Sequence, residues 1–585
     1  MTITSNTYRF QRGSQALCSR AALSVALCTA GILLVSAEAA AQVVPDAGSI
    51  QRELRQGLPG GVSQPVASPI ATSRSTDSVP GEAVHVVSFK IEGATLLPPG
   101  ELTAATQAYA GRDLTMQDLK SAAQAVADAY RRRGFFARTV LPPQDVTSGT
   151  VIIRVLEGRF GQILLNDRAN RANGSFVEQI VGSRLTGGAP YSAQSLERGL
   201  LIANDLPGVR ADGILKAGSA SGTSDLALTV TDTALISATA TADNGGVDST
   251  GIYRGIASIT VNNVTGRGDQ ITLVGLGSKH LGYGQLGWSM PIGSGGWRTG
   301  IYASYMRYTL GGDFADLDGR GNADTQGVEV TYPIIRSSAG NLQFRAAYEH
   351  GHYHDDLLGE AAHRKQLNRV SLSLRGDSID NLVGGGRTRM GLTMTMGSLD
   401  LGGLDSDKEL DSLTTRANGG YGKLEADLTR DQRITGPMFL RLRATGQWAM
   451  NNLDSSEQIA LGGPYAIRAF PVNEAMGDRG AIANVELHWP VGGALKGLDL
   501  YGFVDGGVIQ LHARTWAGWN DPGADNVYTL AGAGAGVSYA LPYGLSVSAI
   551  VAAPITDNPG GADGHHNQDG SRRNARGWLN LSKTF

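Results

Sequence analysis

Cysteine is nearly absent from this chain. Of 585 residues only Cys18 and Cys28 are cysteine, and both fall within an N-terminal stretch that reads as a removable secretion signal. The mature chain therefore has no thiol, which excludes disulfides, thiolate metal sites and cysteine nucleophiles together. Leu17 and Leu27 precede the two cysteines, so a lipid anchor on cysteine is not expected. An excess of one charge is lacking too. There are 50 Lys and Arg against 53 Asp and Glu, a net charge of -3, and this gives no reason to expect nucleic acid as a partner. After the N-terminus no apolar run reaches the roughly 18 residues of a membrane helix. Such hydropathy reads as that of a water-soluble chain. A membrane β-barrel gives the same average, because its strands alternate. No G-x-S-x-G or H-E-x-x-H is present, and the GSASG at Gly218 has alanine where a nucleophile would stand. An enzyme is not expected, and no cofactor is implied.

What is present in excess is glycine, 80 residues, roughly twice the usual share of about 7%. The N-terminus sets the compartment. Arg9, Arg12 and Arg20 form a basic region, Ala21 to Val35 an apolar one, and Ala39 and Ala41 a small-residue cleavage site. Residues 1–41 read as a secretory signal peptide cleaved after Ala41.

Residues 42–58 hold a short helix over Ser49–Gln56. Ile50 and Leu54 lie four apart among charges, and Gly57 ends it. Alone it is too short to be stable in water, so it must dock or fray. Residues 59–83 are rich in Pro, Ser, Gly and Thr and read as a flexible linker. Two compact α+β units follow, 84–158 and 159–232. In the first, AVHVVSFKIEG reads as one strand and TMQDLKSAAQAVADAYRRRG as a helix. Thr115 and Asp118 set a capping box, Leu119, Ala122, Val126 and Tyr130 form the apolar stripe, and Gly134 is the stop. FFARTVLP and TVIIRVLEG are strands. The second unit reads strand FGQILLN, helices SFVEQIVGSRL and SAQSLERGLLIANDL, then strands VRADGILKAG and SDLALTVTD.

Residues 233–585 carry about sixteen runs of ten to fourteen residues with period-two alternation. In PMFLRLRATGQW, Met438, Leu440, Leu442 and Ala444 oppose Arg441, Arg443, Thr445 and Gln447. In AIANVELHW, Ala483, Val485, Leu487 and Trp489 oppose Asn484, Glu486 and His488. In LNRVSLSLRG, Val370, Leu372 and Leu374 oppose Arg369, Ser371, Ser373 and Arg375. One face is apolar throughout, and the other is charged too often to be a packed core. With the signal peptide this favours an outer-membrane β-barrel of about sixteen antiparallel strands, wide enough for an aqueous lumen. The final RGWLNLSKTF places Leu579, Leu581 and Phe585 on one face, with Lys583 interrupting the series.

The order of signal, helix, linker, two α+β domains and barrel resembles the two-partner secretion transporters, the TpsB family of the superfamily that also holds the barrel-assembly proteins. The resemblance spans essentially the whole mature chain. FKIEGATLL, YAGRDLT and AYRRRGFFARTVLPPQDVTSGTVIIRVLEGR resemble the family's first POTRA (polypeptide-transport-associated) domain. NDLPGVRADGILKAG is similar to its second. DNGGVDSTGIYR and NNVTGRGDQITL match its first barrel strands.

LGGPYAIRAFP, Leu461 to Pro471, carries one charge in an apolar, Gly-rich run. Its IRAF, Ile467, Arg468, Ala469 and Phe470, resembles the superfamily's Val-Arg-Gly-Phe/Tyr signature. The resemblance implies an extracellular loop folded back into the lumen, here between the eleventh and twelfth strands, whose arginine pairs with a wall aspartate. Its match in GFVDGG is Asp505. Val504 and Val508 face lipid by alternation, so Asp505 faces inward on parity alone. The pair would fix the loop's register as a latch, a planar guanidinium suiting a carboxylate. Ala469 stands where the family has glycine, so either the tip backbone differs or alanine fits the same dihedrals. A solvated loop arginine is the blander alternative.

The resemblance further implies that the helix with Ile50 and Leu54 plugs the lumen at rest, and that the tandem domains face the periplasm. The expected function is an outer-membrane pore exporting a large, β-rich secreted partner of adhesin or haemolysin type without ATP. A barrel-assembly insertase and a passive porin are the alternatives. Tandem domains speak against the porin, and the helix-plus-linker start against the insertase. Arg131, Arg132 and Arg133 are candidate client contacts, although cations at a helix C-terminus are ordinary. In HGHYH, His350, His352 and His354 share a strand face with Phe344 and Tyr348. That face points to lipid or to the extracellular rim, and no metal site is assigned to it. The barrel is expected to be monomeric and in contact with outer-membrane lipid.

Overall fold

The computed structural model describes residues 44–57, 84–220, 222–519, 525–560, 566–572 and 574–585. The signal peptide and the linker lie outside the described residues. The N-terminal helix, α1, runs Ala47–Gly57, two residues earlier and one later than its apolar spacing predicts.

In the first α+β unit the expected single N-terminal strand is two, β1 (Val84–Val86) and β2 (Ser88–Glu92). Between them the Val87 and Ser88 amides both donate to Gly149 O, at 2.7 and 3.2 Å, and the chain changes partner. β1 pairs with β3 (Arg112–Leu114), whereas β2 lies parallel to β5 (Thr150–Glu157), which β4 (Ala137–Val140) flanks on its other side. A helix not anticipated, α2 (Pro99–Thr106), starts on a proline and buries only Leu102 and Thr106. Proline suits the first helical position, where its missing N–H costs nothing. Beside Pro98 and Gly100 it reads equally well as a turn. The main helix, α3 (Met116–Arg132), has the expected reciprocal cap between Thr115 and Asp118 and buries Leu119, Ala122, Val126 and Tyr130. Beneath it Glu157 accepts hydrogen bonds from the Thr95 and Leu96 amides at 2.6 and 2.8 Å, the Tyr130 hydroxyl at 2.8 Å, and the Thr95 hydroxyl. Burial alone would raise this carboxyl; the four donors outweigh it and hold the group below its usual range.

The second unit comprises β6 (Arg159–Asp167), α4 (Gly174–Gly182), α5 (Ala193–Asn204), β7 (Val209–Ala217) and β8 (Thr223–Asp232), with strand order β6-β8-β7. It rests on the near end of the barrel. Arg336, closing the sixth barrel strand (Arg320–Arg336), forks onto Asp205 with two 2.7 Å bonds, and the Asn173 amide meets Gly266 O at 2.8 Å.

The remaining chain forms a closed antiparallel barrel of sixteen strands, the first (Ile236–Asp243) pairing with the last (Arg576–Thr584). Strand lengths range from 8 to 21 residues, wider than the sequence spacing suggests. The seventh (Gly340–Leu357) and eighth (Glu360–Asp380) are the long ones, because their alternation continues past the membrane into the hairpin. Val485, Leu487, Trp489, Val504 and Leu579 face outward and exposed, as lipid-facing groups do. Lys583 lies among them with its ammonium 5.5 Å from the Phe585 ring and bonded to Tyr543 O. Facing inward are Asn484, Glu486, His488 and Asp505, all buried.

Candidate functional site

The site lies in the lumen, where the loop between the eleventh strand (Met438–Ala449) and the twelfth (Arg479–Pro490) folds inward. Ile467, Ala469 and Phe470 are buried among Leu461, Ile482, Phe503, Ile509, Tyr528 and Leu530. These apolar contacts carry the loop tip to the wall, and Arg468 is the one charge taken with them.

Arg468 meets the wall as a fork. Nε donates to Asp505 Oδ2 at 2.9 Å, Nη2 to Asp505 Oδ1 at 2.6 Å, and the Arg468 amide to Asp505 Oδ2 at 3.0 Å. Nη1 donates to Glu486 Oε1 at 2.7 Å. The guanidinium lies 3.5 Å from the Phe503 ring centre, a cation–π contact in a desolvated site. Asp505 lies on the thirteenth strand (Leu498–Gln510), directly opposite Asn484, and Phe503 opposite Glu486. The four make a square under one guanidinium. Asn484 Nδ2 donates to Asp505 Oδ1 at 2.8 Å and to Ala466 O at 2.9 Å. Trp578 Nε1 on the last strand donates to Arg468 O at 2.8 Å.

Two carboxylates against one guanidinium leave a negative excess. Next to Glu486, His488 places Nε2 2.9 Å from that carboxylate and Nδ1 2.8 Å from Asp499, its ring stacked between Phe439 and Tyr501. Sequence reading proposed Asp505 and missed Glu486. Period-two alternation had put Glu486 on the polar face with Asn484 and His488, but only the inter-strand register brings it beside Asp505.

Ala469 is not among the residues with positive φ, so alanine adopts this tip without left-handed strain. Its Cβ points at Gly532, where an added Cβ would come within 2.4 Å. The fourteenth strand (Val527–Ala540) thus leaves a notch for the methyl group that the family's glycine lacks.

α1 lies within the lumen. Ile50 and Leu54, at 0% and 1% exposure, pack with Tyr283, Met306, Tyr308, Tyr353 and Tyr421 of the wall. Its charges are also matched. Asp46 and Asp454 share Lys365 at 2.6 and 2.8 Å; Glu53 meets Arg254 at 3.1 Å; Arg55 meets Glu349 at 3.0 Å and Glu457 at 3.4 Å. Arg52 donates to Gln458 O at 3.2 Å and to the Asn473 side chain. Asp454, Glu457, Gln458 and Asn473 all belong to the loop that carries Arg468, so helix and loop are bonded to each other as well as to the wall. None of the helix's pairs was visible in the sequence, because the partners lie 201 to 421 residues apart.

Arg131, Arg132 and Arg133 are exposed at the end of α3. Arg131 pairs with Asp128 and Arg133 with Glu101. Among the described residues Arg132 makes no ion pair. His350, His352 and His354 lie on the outward face, as parity predicts. Among the described residues no group of three or more His, Cys, Asp or Glu is placed to hold a metal.

The sequence model of the family described as haemolysin secretion/activation protein ShlB/FhaC/HecB matches residues 222–539, and that of the ShlB-type POTRA domain matches 84–158. The chain is 26% identical over 553 residues to the heme/hemopexin transporter protein HuxB of Haemophilus influenzae, covering 92% of this chain and 95% of the relative. It is 26% identical over 490 residues to the outer membrane transporter CdiB of Dickeya dadantii, covering 79% and 82%. Among solved structures, CdiB from Escherichia coli shares the fold with a TM-score of 0.69 at 20% identity, over 94% of this chain and 100% of that one. BamA from Haemophilus ducreyi lacking POTRA domains 1–3 does so at 0.51 and 14%, over 87% and 100%. With the family model covering more than half of the chain, on a sixteen-stranded barrel behind POTRA-type domains, this protein belongs to the ShlB/FhaC/HecB haemolysin secretion/activation family of outer-membrane two-partner secretion transporters.

Proposed function

We propose that the chain captures a large secreted partner in the periplasm through its tandem α+β domains and passes it through the barrel to the cell surface. The observation that carries this reading is a lumen that holds both the helix α1 and the inward-folded loop of Arg468. A passive porin needs neither. Among the described residues each outer strand of the two three-stranded sheets pairs with one strand only, and an extended client can add a strand to such an edge through backbone bonds, with little demand on its sequence. The exposed Arg131–Arg133 run lies in the same domain and is a client-contact candidate. The periplasm supplies no ATP, and the partner's folding outside gives the direction.

Helix and loop then have separate roles. α1 is the plug. It is bonded mostly through charged groups, which water resolvates when it leaves. About 25 tether residues at up to roughly 3.3 Å each reach across a barrel. Once α1 is gone, Glu457 loses Arg55 but keeps Arg369 at 2.7 Å and Lys423 at 3.0 Å. Arg468 with Asp505 and Glu486 is the latch that holds the loop in register while the plug is out. Breaking a buried pair by removing one partner costs about 3–5 kcal/mol. Arg468→Ala is therefore expected to reduce partner secretion at least tenfold while barrel content in the outer membrane stays unchanged. Secretion at the parental level would overturn the latch.

A further inference from the structure

In the HGHYH stretch Tyr353 packs against α1, whereas the three histidines lie outside the plug and latch contacts. On the seventh strand Glu349, Tyr353 and Asp355 are buried toward the lumen, which turns His350, His352 and His354 outward. Their height follows from register. Val328, Tyr348 and Val370 form one outward row across three strands. The next two rows are Gln326, His350, Asn368 and Asp324, His352, Gln366. The first row is apolar and exposed. The following rows are amide, imidazole and carboxylate, which hydrocarbon does not accommodate. They therefore stand at the extracellular rim, beyond the lipid core, on the long hairpin of the seventh and eighth strands.

The two imidazoles are held alike. His350 Nδ1 is 2.7 Å from Asn368 Oδ1, and His352 Nδ1 is 3.2 Å from Asp324 Oδ2. Both partners are oxygen acceptors, so both Nδ1 atoms carry the proton and both Nε2 atoms keep a lone pair. Those lone pairs converge. Gln366 Nε2 lies 3.4 Å from His350 Nε2 and 3.2 Å from His352 Nε2, one amide nitrogen donating to two rings. The rings stand 4.6 Å apart at 88°, as two ligands of one ion can. An acceptor behind each Nδ1 is the outer-shell arrangement that orients metal-binding histidines.

We propose that His350 Nε2 and His352 Nε2 form a two-imidazole site for a divalent transition-metal ion of the zinc–copper class. The ion takes the place of the Gln366 N–H donor, and the amide turns over to offer its Oε1. Water completes the coordination. Asp324 and Asn368 act as positioning residues. The side chains of His352 and Asp324 are 39% and 38% exposed, so the ion enters from solvent. Two protein nitrogens with open positions make a reversible site rather than a structural one.

The test uses untagged, full-length mature protein folded in detergent and titrated with zinc chloride by calorimetry. Heat-dependent gel migration checks that each variant's barrel is closed. One equivalent of zinc is expected, with affinity falling at least tenfold in His350→Ala and in His352→Ala, and about tenfold in Asp324→Asn. His354→Ala is expected to stay within about twofold. Copper(II) in place of zinc should show nitrogen splitting from two imidazoles by electron paramagnetic resonance, absent from the double variant. No binding by the parent, or equal binding by the closed-barrel His350→Ala/His352→Ala protein, would overturn the site. So would loss of binding in His354→Ala alone.

Discussion

At the scale of single residues, the departure at Ala469 is matched on the wall. The loop tip carries one methyl more than the glycine of the signature it resembles, and the fourteenth strand leaves room for it at Gly532. The two sites are complementary, so their exchange is a direct test. Gly532→Ala would drive a Cβ to 2.4 Å from Ala469 Cβ, and overpacking of this kind costs about 1–3 kcal/mol. Secretion is expected to fall severalfold in Gly532→Ala and to recover when Ala469→Gly is added. A double variant no better than the single one would show that the two positions do not share a contact. The same strand repeats the device. Gly534 and Gly536 make room for the rings of Phe503 and Tyr501, which accounts for part of the glycine excess as space for inward aromatic groups.

At the scale of elements, α1 explains how a helix too short to persist in water is stable. Its 11 residues place Ile50 and Leu54 against lumenal tyrosines, and Glu53 and Arg55, with Asp46 just before the helix, meet opposite charges on the wall. Gly48 permits the closest approach to the loop; an added Cβ there would lie 2.5 Å from Ser455 Oγ. Deleting Gln42–Gln56 is expected to raise single-channel conductance in planar bilayers severalfold. An unaltered conductance would mean that the helix does not occlude the path. The element was legible in the sequence because an i, i+4 apolar pair and a glycine stop are local signals. Its ion pairs were not, since Lys365 is 319 residues from Asp46 and Glu349 is 294 from Arg55. The split between β1 and β2 was hidden for a related reason. A change of strand partner leaves alternation intact, and only Gly149 on a distant loop reveals it.

At the scale of the whole molecule, the proposed function divides recognition and conduction between different parts of one chain. The second domain is tied to the barrel through Arg336 and Asp205, whereas the first touches its neighbour at Gly134 O, which accepts the Ala193 amide at 2.8 Å. Removing Val84–Gly158 is therefore expected to abolish partner secretion while leaving a conducting barrel in the membrane. Continued export by the truncated protein would place client capture elsewhere.

Sequence by itself determined what depends on neighbours along the chain: the helix carrying Ile50 and Leu54, the capping box at Thr115, the alternating strands of the barrel, and the inward parity of Asp505. Alternation is a two-residue property and survives any closure of the sheet. Tertiary structure alone decided which inward residues share a level. Arg468 finds Asp505 at a separation of 37 residues and Trp578 at 110, and adds Glu486 as a second carboxylate. These meetings are set by strand register and by how deep the loop folds into the lumen. Both are properties of the closed barrel, and no local run of residues encodes them.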